Sequence, residues 1–293
     1  MTYRRKLFHI AAVSVVAACG CTDQPKSPPP GRVNKPVPVT STAPAAPDVK
    51  TEAGWLAAAR DPDPAVRQQA VMAVSDAVRD GGLKSATAAP VLLDLLRNDP
   101  DDKVRWLIPT HLSNLPAARQ PAAVAALSEA MLKDRHEFVR SHSAMALSSV
   151  AFDNTAAARP ALPALTAALK DKAARTNAAM ALNNFGREAT PAAAALLETL
   201  KDRDARRNAL NALQHVEFGP AAEAGVPALV ECLKDNDNSV RRDAAVVLRR
   251  IGPPARAAVP ALVDALQDKN DGVREWAAKA LKAIDPERAI PGG

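Results

Sequence analysis

Only three cysteines occur in 293 residues, and two of them, Cys19 and Cys21, stand together near the start. Cys232 is then the single cysteine left for the remainder, so no disulfide framework exists and stability must come from packing. It falls on the apolar side of Leu229…Leu233 and reads as a small buried hydrophobe. Glycine is also scarce, at 12 residues, and none of it builds a phosphate-cradling loop. The histidines form no tight spacing with cysteine or carboxylates, so the usual metal patterns are missing. His111 falls on a core-facing helix position, His136 in a turn, and His142 and His215 on a polar helix face. No nucleophile motif or recurring carboxylate pair is present either. The chain therefore reads as a non-enzyme without cofactor, metal or catalytic residues.

A strong charge is missing where it would matter. The chain is +6 overall with a pI near 9.4, which alone suggests nucleic acid or an anionic membrane. Residues 1–50 hold seven of the 38 Lys/Arg and two of the 32 Asp/Glu, so five of the six excess charges lie there. Residues 51–293 are almost neutral, and a duplex-binding face that neutralises phosphates is not expected.

The first residues are Arg4-Arg5-Lys6, an apolar run from Leu7 to Ala18, then Cys19-Gly20-Cys21. A basic start and a short apolar run read as an export signal; about 20 apolar residues would be needed to cross a bilayer. Val16-Ala17-Ala18-Cys19 resembles the lipobox of bacterial lipoproteins, which implies a signal over 1–18 and lipidation of Cys19. Ordinary signal cleavage is the alternative. Residues 22–50 carry eight prolines with Ser, Thr and Lys, so 19–50 reads as a tether, of which 22–50 reach as far as about 90 Å if extended as polyproline II.

Past residue 50 a phrase recurs. From Val240, apolar residues fall at +4 (Ala244), +7 (Val247), +8 (Leu248) and +11 (Ile251), one stripe of a helix. Asp237 before it and Gly252 after it are start and stop signals. Equivalent anchors are Val66, Val104, Val139, Ala174, Ala205, Val240 and Val273, each followed by arginine, at spacings of 38, 35, 35, 31, 35 and 33 residues. A second helical phrase precedes most anchors: Pro90-Val-Leu92, Pro163-Ala-Leu165, Pro227-Ala-Leu229 and Pro260-Ala-Leu262, each with a further leucine one turn on. A two-helix unit at this period is a solenoid signature. The first unit is short, as for a terminal cap. Pro109 lies inside the second helix of the second unit, where a kink and a bend of the array are expected.

The combined pattern, Pro-Ala-Leu…Leu-x-Asp followed by Asp-x-x-Val-Arg-x-x-Ala-x-x-Ala-Leu, resembles HEAT repeats, especially the short type also met in phycobilin lyases. The resemblance covers roughly residues 51–285, with 286–293 as a tail. It implies an all-α, right-handed superhelix of about seven two-helix repeats, with the second helices lining the concave surface. It also implies an Asp–Arg ladder along the turns: Asp63, Arg67, Asp101, Arg105, Arg140, Asp171, Arg175, Asp202, Arg206, Asp237, Arg241 and Arg274. As exposed pairs these would contribute about 0–1 kcal/mol each and set register.

The polar positions of the second helices, at +2, +3, +6, +9 and +10, vary along the array. They give His142, then Asn177, Asn183 and Asn184, then Arg207, Asn208, Asn211 and His215, then Arg242, Arg249 and Arg250, and last Trp276. Asparagine is a poor helix former, so five of them in two helices point to a groove with a bound partner. The expectation is an exported scaffold that binds a protein or peptide, with the arginines favouring an acidic segment. A chromophore-binding enzyme of the phycobilin-lyase kind and a spacer without a ligand are the alternatives.

Overall fold

A computed structural model describes residues 47–287; the leader, Cys19, the tether up to residue 46 and the tail from residue 288 lie outside the described residues. The described part is all-helical, with no strand among its residues, and its helices alternate between two layers. The first layer holds α1 (Glu52–Ala59), α3 (Ser85–Asn98), α5 (Pro121–Lys133), α8 (Leu162–Ala168), α10 (Ala193–Thr199), α12 (Ala221–Cys232) and α14 (Val259–Ala265). The second holds α2 (Pro64–Arg79), α4 (Asp102–Ser113), α6 (Glu137–Asp153), α9 (Arg175–Asn184), α11 (Arg203–Leu213), α13 (Asn238–Ile251) and α15 (Asp271–Ile284). A single turn, α7 (Thr155–Ala158), leads towards α8. Each second-layer helix packs against its neighbours before and after it, which is the stacking of a solenoid.

The apolar stripe explains the stacking. At +4 the residues are Ala70, Ile108, Ser143, Ala178, Ala209, Ala244 and Ala277, all fully buried. At +8 Val74, Leu112, Leu147, Leu182, Leu213, Leu248 and Leu281 are buried too. Small side chains at +4 let the layers approach, and the branched residues at +8 fill the space between them. Each fully buried leucine contributes roughly 1.5–3 kcal/mol.

Local chemistry sets the ends. Asp63, Asp101, Asp202 and Asp237 accept backbone N–H groups at the starts of α2, α4, α11 and α13, and Asn270 caps α15. Gly252 ends α13 at φ 71°, ψ −142°, a conformation that side chains with a Cβ avoid. Its positive φ leads into a 3-10 turn over Pro253–Ala258 that feeds α14.

Pro109 lies inside α4, as the sequence indicates, and is buried there. One detail differs from the sequence expectation. Pro90 and Pro227 lie within α3 and α12, because those helices begin several residues earlier than the Pro-Ala-Leu phrase indicates. The first unit is short as expected: α1 has 8 residues, and its Trp55 is fully buried with the indole N–H donating to the carbonyl of Ala70 at 2.8 Å.

Candidate functional site

The row of arginines at +1 follows one rule. Each reaches back to a carbonyl six residues earlier, and all but Arg274 reach forward to an aspartate of the next unit. Arg105 Nη1 donates to the Asp99 carbonyl at 2.8 Å, while Nε and Nη2 grip Asp134 at 2.8 and 3.2 Å. Arg67 takes Asp99, Arg140 takes Asp171, Arg175 takes Asp202, Arg206 takes Asp235 and Arg241 takes Asp268. One side chain thus satisfies helix-end carbonyls of its own unit and joins it to the next.

The aspartates of this ladder correct the sequence expectation. Asp63, Asp101 and Asp237, three residues before their anchors, cap helices; the ladder partners are Asp99, Asp134, Asp235 and Asp268, five residues before. Only Asp171 and Asp202 hold both places, because their turns are two residues shorter. Asp202, for instance, receives Arg175 Nη1 at 2.5 Å and the Asp204 N–H at 2.9 Å. The expectation of exposed pairs fails as well. The side chains of Arg105 and Asp134 are 5% and 9% exposed, and those of Arg67 and Asp99 are 10% and 1%.

Burial pushes the carboxyls of Asp134, Asp171, Asp202 and Asp235 up. Their arginines and turn N–H groups outweigh it and hold all four below the usual carboxylate value. For Asp268 the Arg241 hydrogen bond is the leading cause of the same shift.

On the polar face of the second helices, position +2 of one unit meets +3 of the next. Asn177 Nδ2 donates to the carbonyl and hydroxyl of Ser141 at 3.0 and 3.1 Å, and Asn208 Nδ2 to the Thr176 carbonyl at 3.2 Å. Asn184 Nδ2 likewise reaches the Ser148 carbonyl at 3.1 Å. These three amides therefore tie α6, α9 and α11 together. Asn183 and Asn211, both half-buried, make no such bridge among the described residues, and His215 is exposed.

The same contact in the second and third units is aromatic. Trp106 and His142 stand with ring centroids 5.2 Å apart, and Phe138, 53% exposed, lies 6.3 Å from Trp106. His142 Nδ1 is 2.8 Å from the Phe138 carbonyl, and His136 Nε2 is 2.9 Å from Asp102. Sequence reading missed Trp106 and Phe138 as partners of His142; the pairing of +2 with +3 across units is the signal that identifies Trp106.

Towards the last units the face becomes basic. Arg207 and Arg242 carry side chains 58% and 46% exposed, and Arg249 and Arg250 are exposed as well. Arg249 places its guanidinium 5.3 Å from the ring centre of Trp276, and Lys279 Nζ lies 4.4 Å from the same ring. Two arginines have structural duties: Arg242 pairs at 2.8 Å with Asp243, whose side chain is only 6% exposed, and Arg250 donates to the Val216 carbonyl at 2.9 Å. Arg207 has a loose contact, 3.9 Å from Asp237. Two cavities of about 670 and 660 Å³ open between successive turns beside Arg175 and Arg206, and Arg207 and Asp237 also line the second. Among the described residues no group of histidine, cysteine or carboxylates gathers as metal ligands.

No curated protein matches the sequence. Among solved structures, an engineered protein is 24% identical over 80% of this chain and 68% of its own, with a TM-score of 0.58. A designed armadillo repeat protein in complex with the peptide (KR)4 is 20% identical, covering 67% of this chain and 99% of its own, with a TM-score of 0.52. A structure concerning the phosphorylation-controlled interaction between cadherin and β-catenin is 18% identical over 78% of this chain and 51% of its own, with a TM-score of 0.58. At such identities the likeness concerns the fold. The family model for HEAT repeats matches residues 52–148 and 226–292, more than half of the sequence. With the ladder and the two-layer stacking, that match places the chain in the HEAT-repeat family.

Proposed function

We propose that this HEAT-repeat array is a non-catalytic scaffold that binds an acidic segment of a protein or peptide on the second-helix face of its last three units. The supporting observation is Arg249 of α13 over Trp276 of α15, on a face where Arg207, Arg242 and Arg250 are exposed too, in an array whose overall charge is near zero. Arg249 over Trp276 offers a carboxylate a cation held in place by an aromatic ring, so little side-chain freedom is lost on binding. A designed armadillo array binds (KR)4; a basic face on a related scaffold suits the opposite charge. The three bridging asparagines weigh against an amide-lined site, and they move the reading towards the basic end.

The leader, with Cys19 lipidated and residues 19–50 as tether, would hold the array in the cell envelope, on the periplasmic or outer side. That part of the reading rests on the sequence. The mass of the mature N-terminus tests it: a diacylated Cys19 supports the anchor, and cleavage elsewhere overturns it.

Titration of a fluorescent glutamate-rich decapeptide into the full chain tests the binding face. Arg207→Glu with Arg249→Glu is the informative variant, because neither arginine shields a buried carboxylate as Arg242 does. Saturable, salt-sensitive binding that the variant loses supports the site. Equal binding by both proteins places it elsewhere.

A further inference from the structure

Counted along the array, the ladder has an arginine and an aspartate left over. Seven turns carry an aspartate that accepts the N–H two residues on: Asp61, Asp99, Asp134, Asp171, Asp202, Asp235 and Asp268, at 2.7 to 2.9 Å. Six of them also receive the arginine of the preceding unit. Asp61, in the first turn, has the same backbone brace and receives no arginine among the described residues. At the other end Arg274 reaches back to the Asp268 carbonyl at 2.8 Å, as every ladder arginine reaches its own turn. Among the described residues no carboxylate takes the ladder place beside it; Nη2 turns to the local Asp271, and Nε meets no acceptor. Its side chain is 42% exposed, against 7% for Arg241 one unit earlier.

The apolar surface around Arg274 shows the same incompleteness. Val263 of α14 is 38% exposed, whereas Val230, its equivalent in α12, packs against the core. Ala278 of α15 is half-buried where Ala245 of α13 is fully buried. Among the described residues, nothing stacks on the surface of the last unit that inner units use to join the next. The first unit presents the matching acidic turn at Asp61.

We propose that the array self-associates head to tail, the last unit of one copy stacking on the first unit of another, with Arg274 of the first entering the place beside Asp61 of the second. The contact repeats the joint already made six times within the chain. It joins two different surfaces, so it propagates into open chains of copies and does not close as a symmetric dimer. The occupant is a second copy because its acidic turn carries the brace that each inner partner has, a complementarity that a generic apolar partner lacks.

Sedimentation velocity of the full chain over a range of concentrations tests this, with circular dichroism confirming that each variant folds. The wild type is expected to grow in average mass with concentration, beyond a dimer. Asp61→Arg or Arg274→Asp, each placing like charges at the joint, should weaken association by about tenfold or more. The double variant Asp61→Arg with Arg274→Asp restores opposite charges in reversed order and should recover it. Val263→Lys should weaken association without touching the charges. A wild type that stays monomeric throughout overturns the proposal, as does a single reversal or Val263→Lys that associates like the wild type. So does a folded double variant that fails to recover; association driven by the leader would be indifferent to all four variants. Loss of acidic-peptide binding leaves this result unaffected, because Arg207 and Arg249 lie away from the joint.

Discussion

Replacing Arg105 with alanine puts the ladder to a quantitative test. In the folded protein its guanidinium makes two bonds to Asp134 and two to the carbonyls of Asp99 and Pro100, with both side chains less than a tenth exposed. Truncation leaves the Asp134 carboxylate buried with the His136 N–H as its remaining close donor, at 2.8 Å. Removing one partner of a buried pair costs about 3–5 kcal/mol, far above the 0–1 of an exposed one. Urea unfolding followed by circular dichroism measures the loss, read together with the slope because a solenoid need not unfold in one step. Two controls locate the cause. Arg159→Ala removes an exposed pair with Glu188 and should leave the midpoint unmoved. Arg105→Leu with Asp134→Leu removes both charges and should cost clearly less than Arg105→Ala alone, because no carboxylate is stranded. A loss below about 1 kcal/mol for Arg105→Ala, or a double variant as damaged as the single one, would refute the reasoning.

Other consequences are as direct. Leu248→Ala, at a fully buried position, should cost roughly 2–5 kcal/mol in the same melts, while Arg249→Ala, exposed on the opposite face, should cost little. Because Asp134, Asp171, Asp202, Asp235 and Asp268 titrate below their ordinary value of 3.8, their stabilisation is complete above that value. It is lost as pH falls through their folded values, so urea midpoints should drop steeply below about pH 4. Burial pushes the imidazole of His111 below its ordinary 6.5. The unfolded chain therefore takes up its proton first, and stability should decline as pH falls below 6.5; His111→Phe should flatten that part of the profile. Burial also pushes the Cys232 thiol up to about 11, so peptide mapping after brief alkylation should find it unlabelled until urea opens the array.

The fold was legible because its rule is local. Positions +4, +8 and +11 after each Val-Arg or Ala-Arg pair fix one buried face, and seven copies of that face allow little but stacking. The ladder was half legible for the opposite reason. Two aspartates precede several anchors, and whether a carboxylate caps a helix or receives an arginine depends on turn length. Asp237 and Asp235 exchange those duties within two residues, while Asp202 performs both. The asparagines misled through distance: Asn177 meets Ser141 across 36 residues, and in sequence an amide bridging two helices looks like one awaiting a ligand. Trp106 and Phe138 were hidden similarly, each ordinary in its own helix and notable only when adjacent units align. The arginines of the last units were legible as a charge trend. That Arg242 shields Asp243 and Arg250 holds Val216 required the packed structure.

Amide hydrogen exchange of the full chain, with and without a saturating glutamate-rich decapeptide, tests most directly where a partner sits. The account predicts slower exchange in α11, α13 and α15 and unchanged exchange in α2 and α4, with the slowing abolished in Arg207→Glu with Arg249→Glu. Protection confined to the first units, or the same protection in wild type and variant, would contradict it.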